Sequence, residues 1–235
     1  MLKRGFDVFA SVLGLVFFSP LLLAIAAWIK FDSSGPVFYR GRRGGRHGKP
    51  FGIFKFRSMM VNADKIGGPS TSGSDPRVTR SGRFIRKFKL DELSQLINVV
   101  LGDMSLVGPR PEVLDKLDAY TGDLAAVLEV RPGITDWASI WNSDEGGVLE
   151  GTPDADVAYE KILRPTKLKM QLEYVKTRTF LGDIKIILCT LLRIVNKKSM
   201  PREITGYPTF AELRAEAEKL IEEHRSSSER TGMAA

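Results

Sequence analysis

Cysteine and histidine are nearly absent from this 235-residue chain, which holds one cysteine, Cys189, and two histidines, His47 and His224. A single cysteine excludes an intramolecular disulfide, and its apolar surroundings make inert packing its expected role. The histidines lie far apart, and no Cys/His spacing suits a metal ion. No internal repeat marks a solenoid or a propeller. Acids are missing between positions 33 and 63, where seven Lys or Arg stand. No helix-turn-helix pattern and no interleaved stacking platform accompany those cations, so nucleic acid is not the expected partner.

What is present narrows the class further. Hydrophobic residues make up 43% of the chain, which excludes global disorder. The formal charge is +7 and the pI is near 9.5, so an anionic partner is expected, either lipid or a phosphorylated small molecule. The length suits one substantial domain with appendages.

The N-terminal stretch carries the strongest physical signal. Lys3 and Arg4 lead into an apolar run from Phe6 to Ile29, interrupted by Asp7, Ser11, Gly14, Ser19 and Pro20. Its core from Val12 to Ile29 is 18 residues, close to the roughly 20 that cross a bilayer. Three courses are open: a cleaved signal peptide, a plain transmembrane helix, and a re-entrant hairpin. The acid-free basic segment that follows resists translocation, which weighs against the first two. Pro20 removes a backbone donor and can bend the helix, while Ser19 can bond the freed backbone group. A hairpin keeps both basic flanks on the cytoplasmic side. Arg4 and Asp7, three apart, are expected to pair.

Residues 35–57 read as two short β segments around a Gly-rich turn. The alternation Phe54-Lys55-Phe56-Arg57 puts both cations on one strand face and both aromatics on the other. That basic face can meet phosphate, whereas most of Arg40, Arg42, Arg43 and Arg46 read as a solvated, lipid-facing patch. Residues 64–76 read as a loop poised over a site, and residues 112–130 as short amphipathic helices. The segment from Val130 to Trp137 reads as a turn, and 142–156 as an acidic surface loop. A helix interrupted near Pro165 is expected over 157–180. The apolar run from Asp183 to Val195 is too short to span a membrane and suits a buried or interfacial helix. Beyond Pro201, a soluble helix from Thr209 to Glu223 and a disordered tail from Ser226 are expected.

The centre of the chain is residues 89–112. Leu90, Leu93, Leu96, Ile97, Val100 and Leu101 recur at helical spacing, with Asp91 and Glu92 in the first turn and Gly102 as the stop. Two acids there can simply complement the helix dipole. The surrounding cations, Arg77 through Lys89 on one side and Arg110 on the other, instead suit chemistry on a phosphate.

At this point the chain resembles a known family, the small monotopic bacterial phosphoglycosyl transferases, also called bacterial sugar transferases. The resemblance covers about residues 2–195. It rests on ordered motifs: Lys3 through Asp7, Ser19-Pro20, Phe54 through Met59, Asp75 through Thr79, Leu90-Asp91-Glu92-Leu93, Gly102 through Pro111, and Arg131 through Thr135. It implies an α/β, mainly helical, compact monotopic membrane domain with an N-terminal re-entrant helical hairpin, a small β element and amphipathic interfacial helices. The membrane helix would take residues 1–32, the catalytic domain 33–198 and a C-terminal extension 199–235.

The same resemblance implies transfer of a phosphosugar from a UDP-sugar to polyprenol phosphate, releasing UMP, at the cytoplasmic face of the bacterial inner membrane. Asp91 and Glu92 match the family's catalytic dyad, with Mg2+ expected on the two. Lys55, Arg57, Arg86, Arg110 and Arg131 are the expected phosphate-binding cations, and Ser19 and Pro20 the membrane break. Membrane lipid is an expected partner, and a homodimer is left open. Phe88-Lys89, Asp136 and residues 138–149 depart from the family pattern, in regions expected to set sugar preference. The rival reading is a non-catalytic basic scaffold that binds anionic lipid, for which Asp91 and Glu92 would be dispensable.

Overall fold

A 31-residue helix, α1 (Leu2–Asp32), opens the computed structural model, which describes residues 2–66, 75–196 and 200–232. The expected hairpin does not appear as two separate arms. Helical structure continues through Pro20, because Ser19 Oγ donates to the Val16 carbonyl at 2.8 Å. That carbonyl is the one that loses its donor to Pro20, so Ser19 repairs the gap as its position suggested. Among the described residues, α1 is the one helix long and apolar enough to cross a membrane.

The chain then forms an antiparallel hairpin of β1 (Phe38–Gly44) and β2 (Pro50–Phe56), as the alternation predicts. Phe38 stacks on Phe56 and meets Phe54 edge-on, so both aromatics of β2 do share a face. Helix α2 (Arg80–Lys87) is capped by Thr79, whose hydroxyl accepts from the Gly82 amide. Most of the predicted loop over 64–76 lies outside the described residues, as do Lys197 and Lys198.

Helix α3 (Gln95–Leu101) is shorter than the expected 89–101 helix. Lys89 takes a left-handed backbone, and Leu90–Glu92 form a 3-10 turn ahead of α3. Asp91 and Glu92 therefore sit on that turn and not in an α-helical first turn. Strand β3 (Ser105–Val107) pairs in parallel with β4 (Gly133–Thr135), inside the segment read as a turn. Gly108 and Gly133 approach so closely that a Cβ on Gly133 would stand 2.1 Å from the Gly108 nitrogen. Between them in sequence lie 3-10 turns over 114–119 and 122–124 and the short α4 (Ala125–Leu128).

Short helix α5 (Trp137–Trp141) precedes the segment read as an acidic loop, which itself holds α6 (Glu145–Val148) and the start of α7 (Ala155–Ala158). Their Val148 and Leu149 are buried, so apolar packing orders a segment whose surface charge reads as loop. Asp136 caps α5 by accepting from the Ser139 amide at 2.7 Å. A π-helical turn at Tyr159–Leu163 joins α7 to α8 (Arg164–Thr177), which absorbs Pro165 in its first turn. Helix α9 (Phe180–Val195) and a C-terminal α10 (Phe210–Gly232) complete the chain. The tail expected to be disordered is therefore helical as far as Gly232.

The largest core unites Val107 with Ile140, Trp141, Leu149, Leu163, Met170, Tyr174 and Ile186. Ile204, Leu213 and Ala217 from the C-terminal extension are part of it. A second core joins Ile25 and Ile29 of α1 to Phe56 and Ile85, each fully buried aliphatic chain contributing about 1.5–3 kcal/mol.

Both ends of α1 are fastened to this body. Lys3 Nζ lies 2.6 Å from Asp183, and Asp7 accepts from Ser105 Oγ at 2.7 Å. Arg4 does not pair with Asp7 as expected. Its guanidinium instead donates to the Val99 and Met104 carbonyls, at 2.7 and 3.2 Å, at the carbonyl-rich end of α3. At the other end, Asp32 accepts from the Ser81 amide at 2.8 Å.

Candidate active site

The dyad is held against β2 by two side chains that sequence reasoning missed. Ser94 Oγ donates to the Phe54 carbonyl at 3.1 Å. Asn98, four residues on, accepts from the Phe54 amide at 2.7 Å and donates to the Gly52 carbonyl at 2.9 Å. Asn98 thus takes the place of another strand along β2. The signal was present as two polar residues at i, i+4 within an apolar helix. The consequence is that the 3-10 turn lies beside Lys55.

Lys55 Nζ stands 2.9 Å from Asp91 Oδ2 and 3.4 Å from Glu92 Oε1. The two acids, although adjacent in sequence, converge on one ammonium. Arg110 grips Glu92 with both arms of its guanidinium, Nη1 reaching Oε2 at 3.0 Å and Nη2 reaching Oε1. Burial opposes ionisation of Glu92, but Arg110 and Lys55 outweigh it and hold its carboxyl well below the usual carboxylate range. Glu92 in turn raises the Arg110 guanidinium, against the effect of burial. Asp91 is 3% exposed, and its Oδ1 is buried without a hydrogen-bond partner.

The other expected phosphate-binding cations are not brought to this cluster. Arg57 is buried at the carboxyl end of α1, donating to the Ser33 and Ser34 carbonyls at 2.7 Å each and to Ser33 Oγ at 2.9 Å. It satisfies helix-end carbonyls and has no contact with the dyad. Arg131 Nε donates to the Gly102 carbonyl at 3.0 Å, beside Arg4 at the end of α3. Arg86 lies in the last turn of α2, where its charge acts on Asp75. Arg43, grouped with the solvated patch on sequence, instead sits within electrostatic reach of Arg110 and Glu112, where burial lowers its pKa. Arg40 is committed to the Phe54 ring, 4.3 Å from its centroid.

A buried polar network backs Arg110. Lys167 Nζ donates to Tyr159 Oη at 2.6 Å and to Glu112 at 3.3 Å. Gln171 donates to the Arg110 carbonyl at 3.4 Å. The loop carrying Arg110 is thereby tied to α8.

The family pattern implies a magnesium ion at this pair of acids. Both Glu92 oxygens are taken by Arg110, and one also by Lys55, so Glu92 is not free to ligate in this arrangement. Among the described residues Asp91 pairs with Lys55 through Oδ2 and with no guanidinium, and its Oδ1 is buried without a hydrogen-bond partner. Magnesium commonly needs only one or two carboxylates when substrate phosphates and water complete its shell. Asp91 fits that role.

Residues 1–197 match the family described as bacterial sugar transferase. The chain belongs to the bacterial sugar transferase family. It is 38% identical over 199 residues to the UDP-N-acetylgalactosamine-undecaprenyl-phosphate N-acetylgalactosaminephosphotransferase of Aeromonas hydrophila, covering 83% of this chain and 44% of that one. It is 39% identical over 204 residues to the UDP-glucose:undecaprenyl-phosphate glucose-1-phosphate transferase of Escherichia coli, covering 84% and 41%. The exopolysaccharide production protein ExoY of Rhizobium meliloti is 36% identical over 206 residues, covering 81% and 84%. The chain therefore spans less than half the length of the first two relatives and most of the third.

Proposed function

We propose that this bacterial sugar transferase moves a sugar phosphate from a UDP-sugar to a polyprenol phosphate through a covalent intermediate on Asp91. The observation that carries the reading is the partly buried cluster in which Lys55 and Arg110 neutralise adjacent Asp91 and Glu92. Stability alone does not call for four charged groups at one place. Replacing a buried ion pair by apolar groups is often neutral or stabilising.

Asp91 is the nucleophile by elimination within the dyad, since Glu92 is locked in the Arg110 fork. Its Oδ2 forms a bond to the sugar-bearing phosphorus of the donor. The bond from that phosphorus to the bridging oxygen breaks, and UMP leaves with the oxygen and the electron pair. Next, a phosphate oxygen of the polyprenol acceptor bonds to the same phosphorus. The bond to Asp91 breaks and the carboxylate is restored. Lys55 and Arg110 carry the charge complementary to the diphosphate. Glu92 keeps both cations oriented between turnovers. Magnesium, when bound, neutralises further phosphate charge.

The membrane course follows from how α1 is tied. Its first turns are bound to α3, β3 and α9, and its last turns to α2 and β2, so the catalytic body is fastened to both ends of the helix. A perpendicular crossing would drag that charged body into hydrocarbon. The exposed apolar side chains of α1, Phe9, Val16, Phe17, Leu23 and Phe31 among them, instead suit shallow insertion from one side. Leu188, Leu191, Leu192 and Val195 of α9 add to this, with Phe6 of α1 edge-on to Phe180 of α9 at 5.5 Å. The reading is therefore a monotopic enzyme on the cytoplasmic face of the inner membrane, in a pathway of surface polysaccharide synthesis.

The deciding experiment incubates the purified protein with a UDP-sugar radiolabelled in the sugar and no lipid acceptor. Label is expected on the protein, to be lost in Asp91→Asn. An unlabelled wild-type protein that turns over only with both substrates present would overturn the covalent route.

A further inference from the structure

Helices α1 and α2 share an exposed run of aromatic rings. The Trp28 ring of α1 lies 5.3 Å from that of Phe84 on α2, and the Phe84 ring lies 4.7 Å from that of Phe88, the C-cap of α2. The three side chains are 40%, 45% and 46% exposed. Their backbone is held firmly. Ile25 and Ile29 of α1 are buried with Ile85 of α2 and with Phe56, and Asp32 accepts from the Ser81 amide. Phe84 and Phe88 form one row along α2, and Arg83 and Lys87 form the next, also exposed. Lys87 Nζ stands 5.7 Å from the Phe88 ring centroid. Single exposed apolar residues are ordinary, but a contiguous aromatic run marks a contact surface.

The two ends of the run differ. At Trp28 it joins the apolar surface of α1, since Leu21, Ala24, Trp28 and Phe31 recur on one helix face and all are exposed. At Phe88 it reaches exposed Lys89, whose carbonyl accepts from the Glu92 amide at 3.3 Å and whose charge acts on the Glu92 carboxylate. We propose that Trp28, Phe84 and Phe88 form a track for the first isoprene units of the polyprenol phosphate, with Lys89 receiving its phosphate beside the dyad. The inference rests on the acceptor class read above. The occupant is apolar along its length, anionic at one end and narrow, because Arg83 and Lys87 border the rings. A slab of bilayer hydrocarbon over the rings would strip water from those cations, whereas a single isoprenoid chain leaves them hydrated. Methyl-branched alkenes pack well on aromatic faces. Asp91 and Glu92 repel an approaching phosphate, and an ammonium next to them offsets that repulsion. Lys89 holds a left-handed backbone, with φ 56°, a conformation that Asn takes more readily, so its charge and not its backbone preference suits the position.

Binding is measured by equilibrium dialysis of radiolabelled farnesyl phosphate, a short isoprenoid phosphate, against the full-length protein in a neutral detergent without any sugar nucleotide. Phe84→Gln, Phe88→Gln and Lys89→Asn are each expected to bind it about tenfold more weakly than the wild type. With farnesol as the probe, the loss in Lys89→Asn is expected to vanish and the losses in the two ring variants to remain. Thermal midpoints check that the variants fold, and Trp28→Gln carries the same test if a variant on α2 does not. Unchanged farnesyl phosphate binding in the ring variants would overturn the proposal, as would a wild-type protein that does not bind it. Poorer flotation of those variants on phosphatidylglycerol vesicles, with unchanged farnesyl phosphate binding, would make the rings a bilayer anchor instead. A wild-type protein that binds farnesyl phosphate through these residues but releases no UMP from any UDP-sugar would refute the transfer reading and leave the track standing.

Discussion

Lys55 Nζ lies 2.9 Å from Asp91 Oδ2, so the oxygen proposed to attack phosphorus is held by an ammonium in the resting protein. The pair holds that oxygen against the ammonium and shields it from unproductive chemistry. A donor diphosphate entering the site offers Lys55 a more highly charged partner, and transfer of the ammonium to phosphate frees the nucleophile.

Lys55→Met is accordingly expected to lower kcat/KM for UMP release by about 2–4 kcal/mol, roughly 30- to 1000-fold. Lys55→Arg is not expected to rescue it, because a planar fork cannot take the place of a point charge shared by Asp91 and Glu92. Full activity in Lys55→Arg would mean that only net charge matters there.

The arginines divide into two groups that sequence alone had placed together. Arg110→Ala leaves Glu92 without its fork and is expected to cost catalysis about 2–5 kcal/mol. Arg131→Ala removes one bond to the Gly102 carbonyl and is expected to cost about 1 kcal/mol of stability, with little change in kcat. Arg57→Ala strips donors from the end of α1 and is expected to cost about 2–4 kcal/mol of stability. Thermal midpoints measured beside steady-state rates separate the groups, and equal catalytic losses at all three positions would dissolve the distinction.

Glu92 gives a pH dependence of defined sign. Its folded-state pKa lies below the ordinary value of 4.5, so the stability it contributes is present above pH 4.5 and is lost as pH falls through the lower folded value. The stability difference between the wild type and Glu92→Gln is expected to be about 1–3 kcal/mol at neutral pH and to shrink below pH 4.5. Urea unfolding at pH 7 and pH 3.5 measures it. A difference that grows on acidification would reverse the assignment.

The membrane course is tested by single cysteines at Leu2 and Asn62 in a Cys189→Ser background. Both are expected to be shielded from an impermeant thiol reagent in intact cells and labelled after lysis. Labelling of position 2 from outside, with position 62 protected, would establish a full span. Pro20→Ala restores a donor for the Val16 carbonyl and is expected to shift some molecules toward that span.

Hydropathy and period were enough to find the apolar N-terminal helix, the β1–β2 hairpin and the apolar face of the dyad segment. These depend on local order along the chain, and burial of one face follows from spacing. Asp91, Glu92, Lys55 and Arg110 were legible because ordered motifs carry them. The partners of the charges were not legible. Arg57 follows Lys55 on the same alternating pattern, yet the nearest unsatisfied carbonyls belong to the end of α1 and claim its guanidinium. Arg4 passed over nearby Asp7 for the end of α3, some hundred residues away in sequence. Charge attraction depends on distance in space, which the packing of α1, α2 and α3 decides. The same packing buried the Gln95 amide and one oxygen of Asp91 without partners, which no spacing in the sequence could reveal.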